Sequence, residues 1–449
     1  MKVAKFGGTS LASAEQIRKV CSIVTADPER RLIVVSAPGK RFKDDIKVTD
    51  MLIKCAKKFL ETGCAEEELI EIASRYQDIA NDLGVKADMG SIVEADLRKR
   101  LSGNIENNDK FMDSMKAAGE DNSAKLVAAY LKEKGYDAGY INPRDAGMIL
   151  SDEYGNARVL PESYGKLKNL RDRHGIMIFP GFFGYSKSGE VVTFPRGGSD
   201  ITGSILAAAI NADMYENFTD VDSVFAANPN IVDNPAAIPE LTYREMRELS
   251  YAGFSVLHEE TLEPVYRTGI PVCIKNTNNP DSPGTKILTD REAKNGPVVG
   301  IASDKGFCSI FISKYMMNRE IGFGRKLLHI LEDEGVSYEH TPSGIDNISI
   351  ILRENQLDGP AEKRILNRIK DELDVDDVLI EHNLALIMIV GEGMMRTVGI
   401  AARATDALSK ASVNIEIINQ GASEVSIMFG VNGDDSIKAV KALYGEFFK

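Results

Sequence analysis

The chain is poor in the residues that build metal and redox centres. Its five cysteines among 449 residues, Cys21, Cys55, Cys64, Cys273 and Cys308, lie far apart with no CxxC spacing. Neither a disulfide framework nor a zinc site is indicated, and they read as core or surface thiols. Histidine is equally sparse, with five residues and no pair at a spacing suited to metal binding. Long apolar runs are missing too: stretches such as residues 32–35 and 176–179 are far below bilayer-spanning length, and the amino terminus enters a strand pattern rather than a signal peptide. A soluble, cytoplasmic protein with no membrane partner is expected. Basic residues are outnumbered, 54 Lys and Arg against 67 Asp and Glu, and a net charge of −13 argues against binding a nucleic-acid polyanion. The Walker pattern GxxxxGK[ST] does not occur, so a P-loop mechanism cannot be imported.

What the chain does have begins at residue 5. KFGGTS follows a short apolar lead, and places Lys5 at the end of a first strand beside Gly7 and Gly8. Paired glycines let anionic oxygens approach backbone N–H groups at a helix start, and a cation beside them completes an anion site. A second glycine pair, in PRGGSDITGSILAAAI, puts Arg196, Ser199 and Asp200 at the mouth of an apolar helix. Two such turns can converge on one set of phosphates. A nucleotide is the expected ligand, and any metal is expected to be Mg²⁺ arriving with it.

The length implies two to four domains. Short β-branched runs at residues 3–6, 32–36, 176–180, 214–219 and 272–275 alternate with helical patterns at 14–24, 123–134 and 200–211. Such alternation predicts a mostly parallel sheet covered by helices on both faces, with ligands at the strand carboxyl ends. Residues 57–115 change character to charged helices. There Leu69, Ile72, Ala73, Tyr76, Ile79, Ala80 and Leu83 form one apolar stripe, an inserted helical hairpin to which no chemistry is assigned.

Turn-rich residues 276–297 mark the exit from this α/β unit near residue 290. Beyond them a shift of 77 positions superposes Gly322 on Gly399, Leu331 on Leu408, Val336 on Val413, Glu339 on Glu416 and Ile350 on Ile427. Each copy, residues 298–375 and 376–449, reads as a small ferredoxin-like βαββαβ module. Duplicated modules of this kind serve either as a dimerisation scaffold or as ligand sensors.

Taken together, these features resemble the aspartokinases, an amino-acid-kinase domain followed by two ACT regulatory domains. The resemblance spans nearly the whole chain and includes VVSA at residues 34–37, AGEDNSAKLVAAYL at 118–131, TDVDSVFAANP at 219–229, VLH at 256–258 and KNTNNPDSPGT at 275–285. It implies transfer of a phosphoryl group from ATP with Mg²⁺ to the side-chain carboxylate of L-aspartate, giving 4-phospho-L-aspartate at the entry to lysine, threonine and methionine synthesis. Such a transfer needs charge neutralised along its path. Lys5 matches the family's catalytic lysine and Asp200 the acid that orders it. Arg196 matches the arginine that grips the α-carboxylate, a bidentate task, and Glu120 the glutamate that receives the ammonium. The lesser alternative for Glu120 is a cap for a helix starting near Ser123. Ser36, Thr49 and Ser199 match pocket hydroxyls, Thr219 and Asp220 match nucleotide contacts, and Phe225 stands where a tyrosine usually flanks the adenine.

Departures from the family pattern fall mostly on the nucleotide side: Pro195, Asp121, Asn228, Asn230, Ser255 and Glu259 replace residues common there. In the tail, Met317, Gly322, Phe323, Ser337, Tyr338, Glu339 and Asp346 fall where lysine-sensitive relatives hold their effector between paired ACT copies. The carboxylates of Glu339 and Asp346 favour lysine, while Glu416 and residues 418–424 also resemble effector loops and leave threonine open, alone or jointly. The resemblance implies feedback inhibition and a homodimer or tetramer joined through the ACT domains. Two other readings stand beside it: a different amino-acid kinase, and an amino-acid sensor whose kinase half has decayed.

Overall fold

The computed structural model describes all residues except 104, 106, 255, 258 and 293–295. Ser255 and His258, two positions of the family comparison above, therefore lie outside the described residues. The chain divides into two compact units. The first comprises Met1–Val224, Ala237–Met246 and Ser255–Arg291, and the second Phe225–Ala236, Arg247–Phe254 and Glu292–Lys449.

The strands of the first unit are β1 (Lys2–Phe6), β2 (Arg30–Val35), β3 (Ala138–Tyr140), β4 (Ile176–Pro180), β5 (Phe183–Tyr185), β6 (Val191–Thr193), β7 (Met214–Thr219), β8 (Glu240–Thr242), β9 (Val272–Asn276) and β10 (Thr285–Leu288). Eight of them form one sheet in the order β3-β4-β2-β1-β7-β9-β10-β8, and only the β9–β10 pair is antiparallel. The strands expected from sequence are all present, and the short edge strands are additions that carry too few residues to show a period. Helices α1 (Ala14–Thr25), α2 (Val48–Thr62), α3 (Glu66–Leu83), α4 (Met89–Leu101) and α5 (Asn108–Glu133) precede the short α6 (Pro143–Ala146) and α7 (Pro161–Leu167), and then α8 (Gly198–Ile210).

Strand parity decides what each face of the sheet sees. Ala4, Phe6, Ile33, Val35, Ile178 and Phe218 join the apolar core made with α1 to α5. The alternate residues, Lys5 among them, face α8, which packs on β1 and β7. α8 lies close because Gly203 meets the ring of Tyr215: a Cβ there would stand 2.6 Å from the Tyr215 hydroxyl.

Helix α5 corrects one expectation. It begins at Asn108, not near Ser123, so Glu120 sits in mid-helix and caps nothing. The reason is burial: Ala117 to Ala124 are all buried, so the stretch shows no polar face from which a helical period could be read.

The second unit holds β11 (Gly300–Ser313), β12 (Asn347–Arg353), β13 (Asp377–Val390), β14 (Ile417–Asn419) and β15 (Ser426–Asn432) in one sheet of order β12-β11-β13-β15-β14. With α9 (Tyr243–Tyr251) and α10 (Glu263–Thr268) intervening earlier in the chain, its four long helices are α11 (Phe323–Asp333), α12 (Gly359–Leu373), α13 (Ile400–Lys410) and α14 (Ser436–Phe448). The repeat is visible in backbone detail. α11 and α13 each follow a left-handed glycine, Gly322 at φ 82° and Gly399 at φ 91°, and the preceding Met317 and Met394 are both buried.

The repeats share one sheet across the boundary at residue 376. Gly300 to Lys305 pair with Val390 to Ala385, inside the second copy. Past Gly306, at φ 82°, residues Phe307 to Ser313 pair with β12 of the first copy and with the opening of β13.

Gly203→Ala tests the approach of α8 to β7. Alanine adds at most about 1 kcal/mol of helix propensity, whereas overpacking against Tyr215 costs about 1–3 kcal/mol. A lower unfolding temperature for the variant is the expected result.

Candidate active site

Register brings several strand ends into one row. Lys5 lies opposite Val34 and Asn217, and Phe6 opposite Val35 and Phe218. Val35 in turn lies opposite Pro180. Gly7, Ser36 and Gly181, just past the carboxyl ends of β1, β2 and β4, therefore lie side by side with Thr219, the last residue of β7. β1 is also where strand order reverses, since the chain first winds outward through β2 and later returns on the other side at β7. Ligands of open α/β sheets bind at such a switch point.

The buried Lys5 ammonium, 7 % exposed, is ion-paired with Asp200 in the first turn of α8. The same Asp200 Oδ1 accepts from Asn217 Nδ2 at 2.8 Å, and its backbone carbonyl accepts from the Tyr215 hydroxyl at 3.1 Å. Asn217 was missed in the sequence. An asparagine facing inward in the middle of a strand is the signal that marks it, since strands are depleted in this residue.

The glycine turn is packed as tightly as a close backbone approach requires. A Cβ on Gly8 would stand 3.0 Å from the Ala37 carbonyl oxygen, and one on Gly39 would meet Gly8 backbone at 2.6 Å. The Gly39 N–H donates to Gly8 O at 2.8 Å, and the Gly7 N–H to Phe218 O at 3.2 Å. The second turn is equally close: Gly197 takes φ 83°, and a Cβ on Gly181 would stand 2.7 Å from Ser199 Cβ.

Glu120 approaches from α5. Its carboxyl is buried, Oε2 has no hydrogen-bond partner, and burial pushes its pKa up to about 8, against the weaker pulls of the Ala37 backbone and the Lys5 charge. That charge is near enough to act on Glu120, so Lys5, Asp200 and Glu120 form one constellation. Ser36 and Thr49 are half-buried, at the end of β2 and in the first turn of α2. Arg196 is exposed on the connection into α8 and makes no ion pair among the described residues, so its guanidinium is free for a ligand. Thr219 Oγ1 lies 3.2 Å from the exposed Asp220 carboxylate. Phe225 and the departures Asn228 and Asn230 belong to the second unit, where Phe225 is half-buried and Asn228 Oδ1 accepts from the Asn230 backbone at 2.9 Å. Asp121 is occupied otherwise, gripped by Arg100, Lys125 and the Tyr140 hydroxyl.

The effector candidates fall into two groups within the second unit. Met317, Gly322 and Phe323 lie before and at the start of α11, where Asp346 Oδ1 accepts from the Met316 backbone at 2.8 Å. Ser337, Tyr338 and Glu339 follow the other end of that 11-residue helix, about 16 Å away at 1.5 Å per residue. There Gln356 Oε1 accepts from Ser337 Oγ at 2.8 Å, while Glu339 receives the Tyr251 hydroxyl and pairs with Arg353 at 3.6 Å. In the second repeat, residues 394–401 with Gln420 and Glu424 line a pocket of about 490 Å³, whereas Glu416 lines a separate groove with Glu381.

A buried cation fixed by a carboxylate at a glycine cradle, on the switch point of a mostly parallel sheet, defines the catalytic unit of an amino acid kinase. The amino acid kinase family matches residues 1–276, and the ACT domain matches residues 387–447. The chain is 59 % identical to Aspartokinase 3 of Bacillus subtilis over 100 % of its own length and 99 % of that protein. It is 29 % identical to the chloroplastic Aspartokinase 2 of Arabidopsis thaliana, over 100 % of this chain and 84 % of that one. The crystal structure of Clostridium acetobutylicum aspartate kinase superposes with a TM-score of 0.88 at 41 % identity, covering 100 % of both chains. Escherichia coli aspartokinase III, solved with aspartate and ADP, shares the fold with a TM-score of 0.79 at 24 % identity, again over 100 % of both. The chain belongs to the aspartokinases, and is an aspartate kinase with an ACT regulatory region.

The pH dependence of stability follows from Glu120. Its folded pKa is raised above the unfolded value of about 4.3, so the folded state holds the extra proton and stability falls as pH rises from about 4.5 towards 8. Glu120→Gln should flatten that part of a plot of unfolding temperature against pH, and an unchanged slope would contradict the burial of the carboxyl.

Proposed function

We propose that the chain phosphorylates the side-chain carboxylate of L-aspartate from ATP with Mg²⁺, giving 4-phospho-L-aspartate, the entry to lysine, threonine and methionine synthesis. The observation that carries the reading is the Lys5–Asp200 pair beside the buried Glu120 carboxyl at the strand ends. Phosphoryl transfer is a matter of positioning and of neutralising charge on the moving group. Lys5 supplies the fixed cation, and Asp200 and Asn217 hold it in place. Gly7 and Gly8 admit the phosphates to the backbone, with Thr219 and Asp220 on the nucleoside side. Mg²⁺ bound to the phosphates would add further charge neutralisation.

Aspartate is held by the two charged groups on its Cα, which leaves the side-chain carboxylate to react. Arg196 takes the α-carboxylate, Glu120 the ammonium, and Ser36, Thr49 and Ser199 offer hydroxyls to the remaining oxygens. The unpartnered Glu120 Oε2 supports this role, because a buried polar atom without a partner is costly unless a ligand satisfies it. An uncharged Glu120 must lose its proton to meet an ammonium group, so aspartate binding near pH 7 releases a proton.

The ACT domains support feedback inhibition through differential affinity for two states. Lysine is the favoured effector, through the Asp346 carboxylate at the start of α11, since Glu339 lies past the far end of that helix; threonine acting alone or jointly is the alternative, and pairing of ACT domains across a homodimer or tetramer is the assembly proposed. A sensor with a decayed kinase half is the competing reading, but the Lys5–Asp200 pair does not favour it.

Hydroxamate formation from aspartate, ATP, Mg²⁺ and hydroxylamine tests the reading, titrated with lysine and threonine separately and together. Lys5→Ala is expected to abolish product and, by stripping Asp200 of its buried partner, to lower the unfolding temperature of a protein that still folds. Wild-type protein that yields no hydroxamate, yet is stabilised by lysine, would be the sensor. Calorimetric titration of aspartate in buffers of different ionisation enthalpy should show proton release near pH 7, and none for Glu120→Gln.

A further inference from the structure

Two adjacent residues of α3, inside the helical insertion, reach the two backbone segments that frame the catalytic cleft. Arg75 is buried, 5 % exposed, and its Nη2 donates to Gly39 O at 2.9 Å. The Gly39 peptide is thereby held from both sides, since its N–H donates to Gly8 O at 2.8 Å. Arg75 also pairs with buried Asp45 through Nη1 at 3.2 Å and Nη2 at 3.0 Å, and Asp45 Oδ2 accepts from the Arg41 backbone at 2.9 Å. The loop between β2 and α2 is thus tied near its start and near its end to one guanidinium.

Tyr76, the next residue, is fully buried and donates its hydroxyl to Gly119 O at 2.7 Å. Gly119 is where α5 comes nearest the exit of β2: a Cβ there would stand 2.7 Å from Ala37 Cβ. The tyrosine therefore holds from behind the peptide that carries Glu120.

Stability alone does not call for this arrangement. A buried ion pair is commonly matched or bettered by apolar side chains of the same volume, and here the Arg75 Nε is left without a partner. What the guanidinium adds is direction, because a planar fork fixes the peptide it binds where apolar contacts would let it slide.

We propose that Arg75 and Tyr76 are positioning residues for phosphoryl transfer, Arg75 setting the Gly8 turn under the nucleotide phosphates through Gly39, and Tyr76 setting the Glu120 carboxyl against the substrate ammonium through Gly119. The proposal rests on the roles given above to Gly8 and Glu120. It gives the insertion a function that its amphipathic stripe does not reveal. One helix sets two subsites, each through a single intermediary peptide.

Steady-state kinetics with each substrate varied separately tests it. Tyr76→Phe keeps the ring and removes one hydrogen bond, and is expected to raise the KM for aspartate about fivefold with the KM for ATP unchanged. Arg75→Lys keeps a charge and loses the fork. It should raise the KM for ATP by a similar factor and lower kcat, with aspartate affected less. Asp45→Asn, which loosens Arg75 without removing it, should move the ATP parameters in the same direction by less, and serves if the arginine variant does not fold. Equal changes in both KM values, or a lower kcat from loss of folded protein alone, would overturn the proposal. Glu120→Gln separates the two readings. If it leaves the aspartate KM unchanged, the ammonium site and the Tyr76 arm fall together, while a raised KM there with none in Tyr76→Phe overturns the positioning role alone.

Discussion

Everything in the catalytic unit is arranged around one buried cation. An ammonium at the centre of a sheet is costly to desolvate and is tolerated only when paired. Lys5 meets that condition through Asp200, and the pairing constrains the rest. α8 must start where its first turn reaches β1, which it does after the left-handed Gly197. β7 must lie beside β1 in a register that places Asn217 against Asp200. Small residues follow: Gly203 under Tyr215 and Gly181 beside Ser199 are where helix and strand ends come too close for a side chain.

The electrostatics of the cleft are then unequal by design of burial. Glu120 lies deep, in mid-helix, with an unsatisfied oxygen and a raised pKa, while Arg196 is exposed at the rim. The two charged groups thus differ in setting, one exposed at the rim and one fixed by packing.

In the second unit the constraint is a shared sheet. β11 of the first repeat and β13 of the second each have 14 residues and pair along most of their length, so neither repeat can shift its register without disturbing the other. Segments Phe225–Ala236 and Arg247–Phe254 also fold with this unit, by contacts such as the Ile301 N–H to Ala226 O at 2.7 Å and Ser426 Oγ to Glu248 at 2.8 Å.

The sequence by itself determined the glycine turns, the strands that carry them, the apolar stripe of the insertion and the 77-residue repeat. These are local or periodic signals, fixed by backbone freedom and by the alternation of exposed and buried positions. The grouping of Lys5, Glu120, Arg196 and Asp200 came from the resemblance to the aspartokinases, not from any local pattern. Only the tertiary structure decided that α5 begins at Asn108, that Asn217 supports Asp200, that Arg75 and Tyr76 reach Gly39 and Gly119, and that the two repeats interlace through one sheet. Full burial erases the period from which a helix boundary is read. Contacts between residues 36 or 43 positions apart, such as those of Arg75 and Tyr76, leave no local pattern at all, because they come from the packing of whole elements.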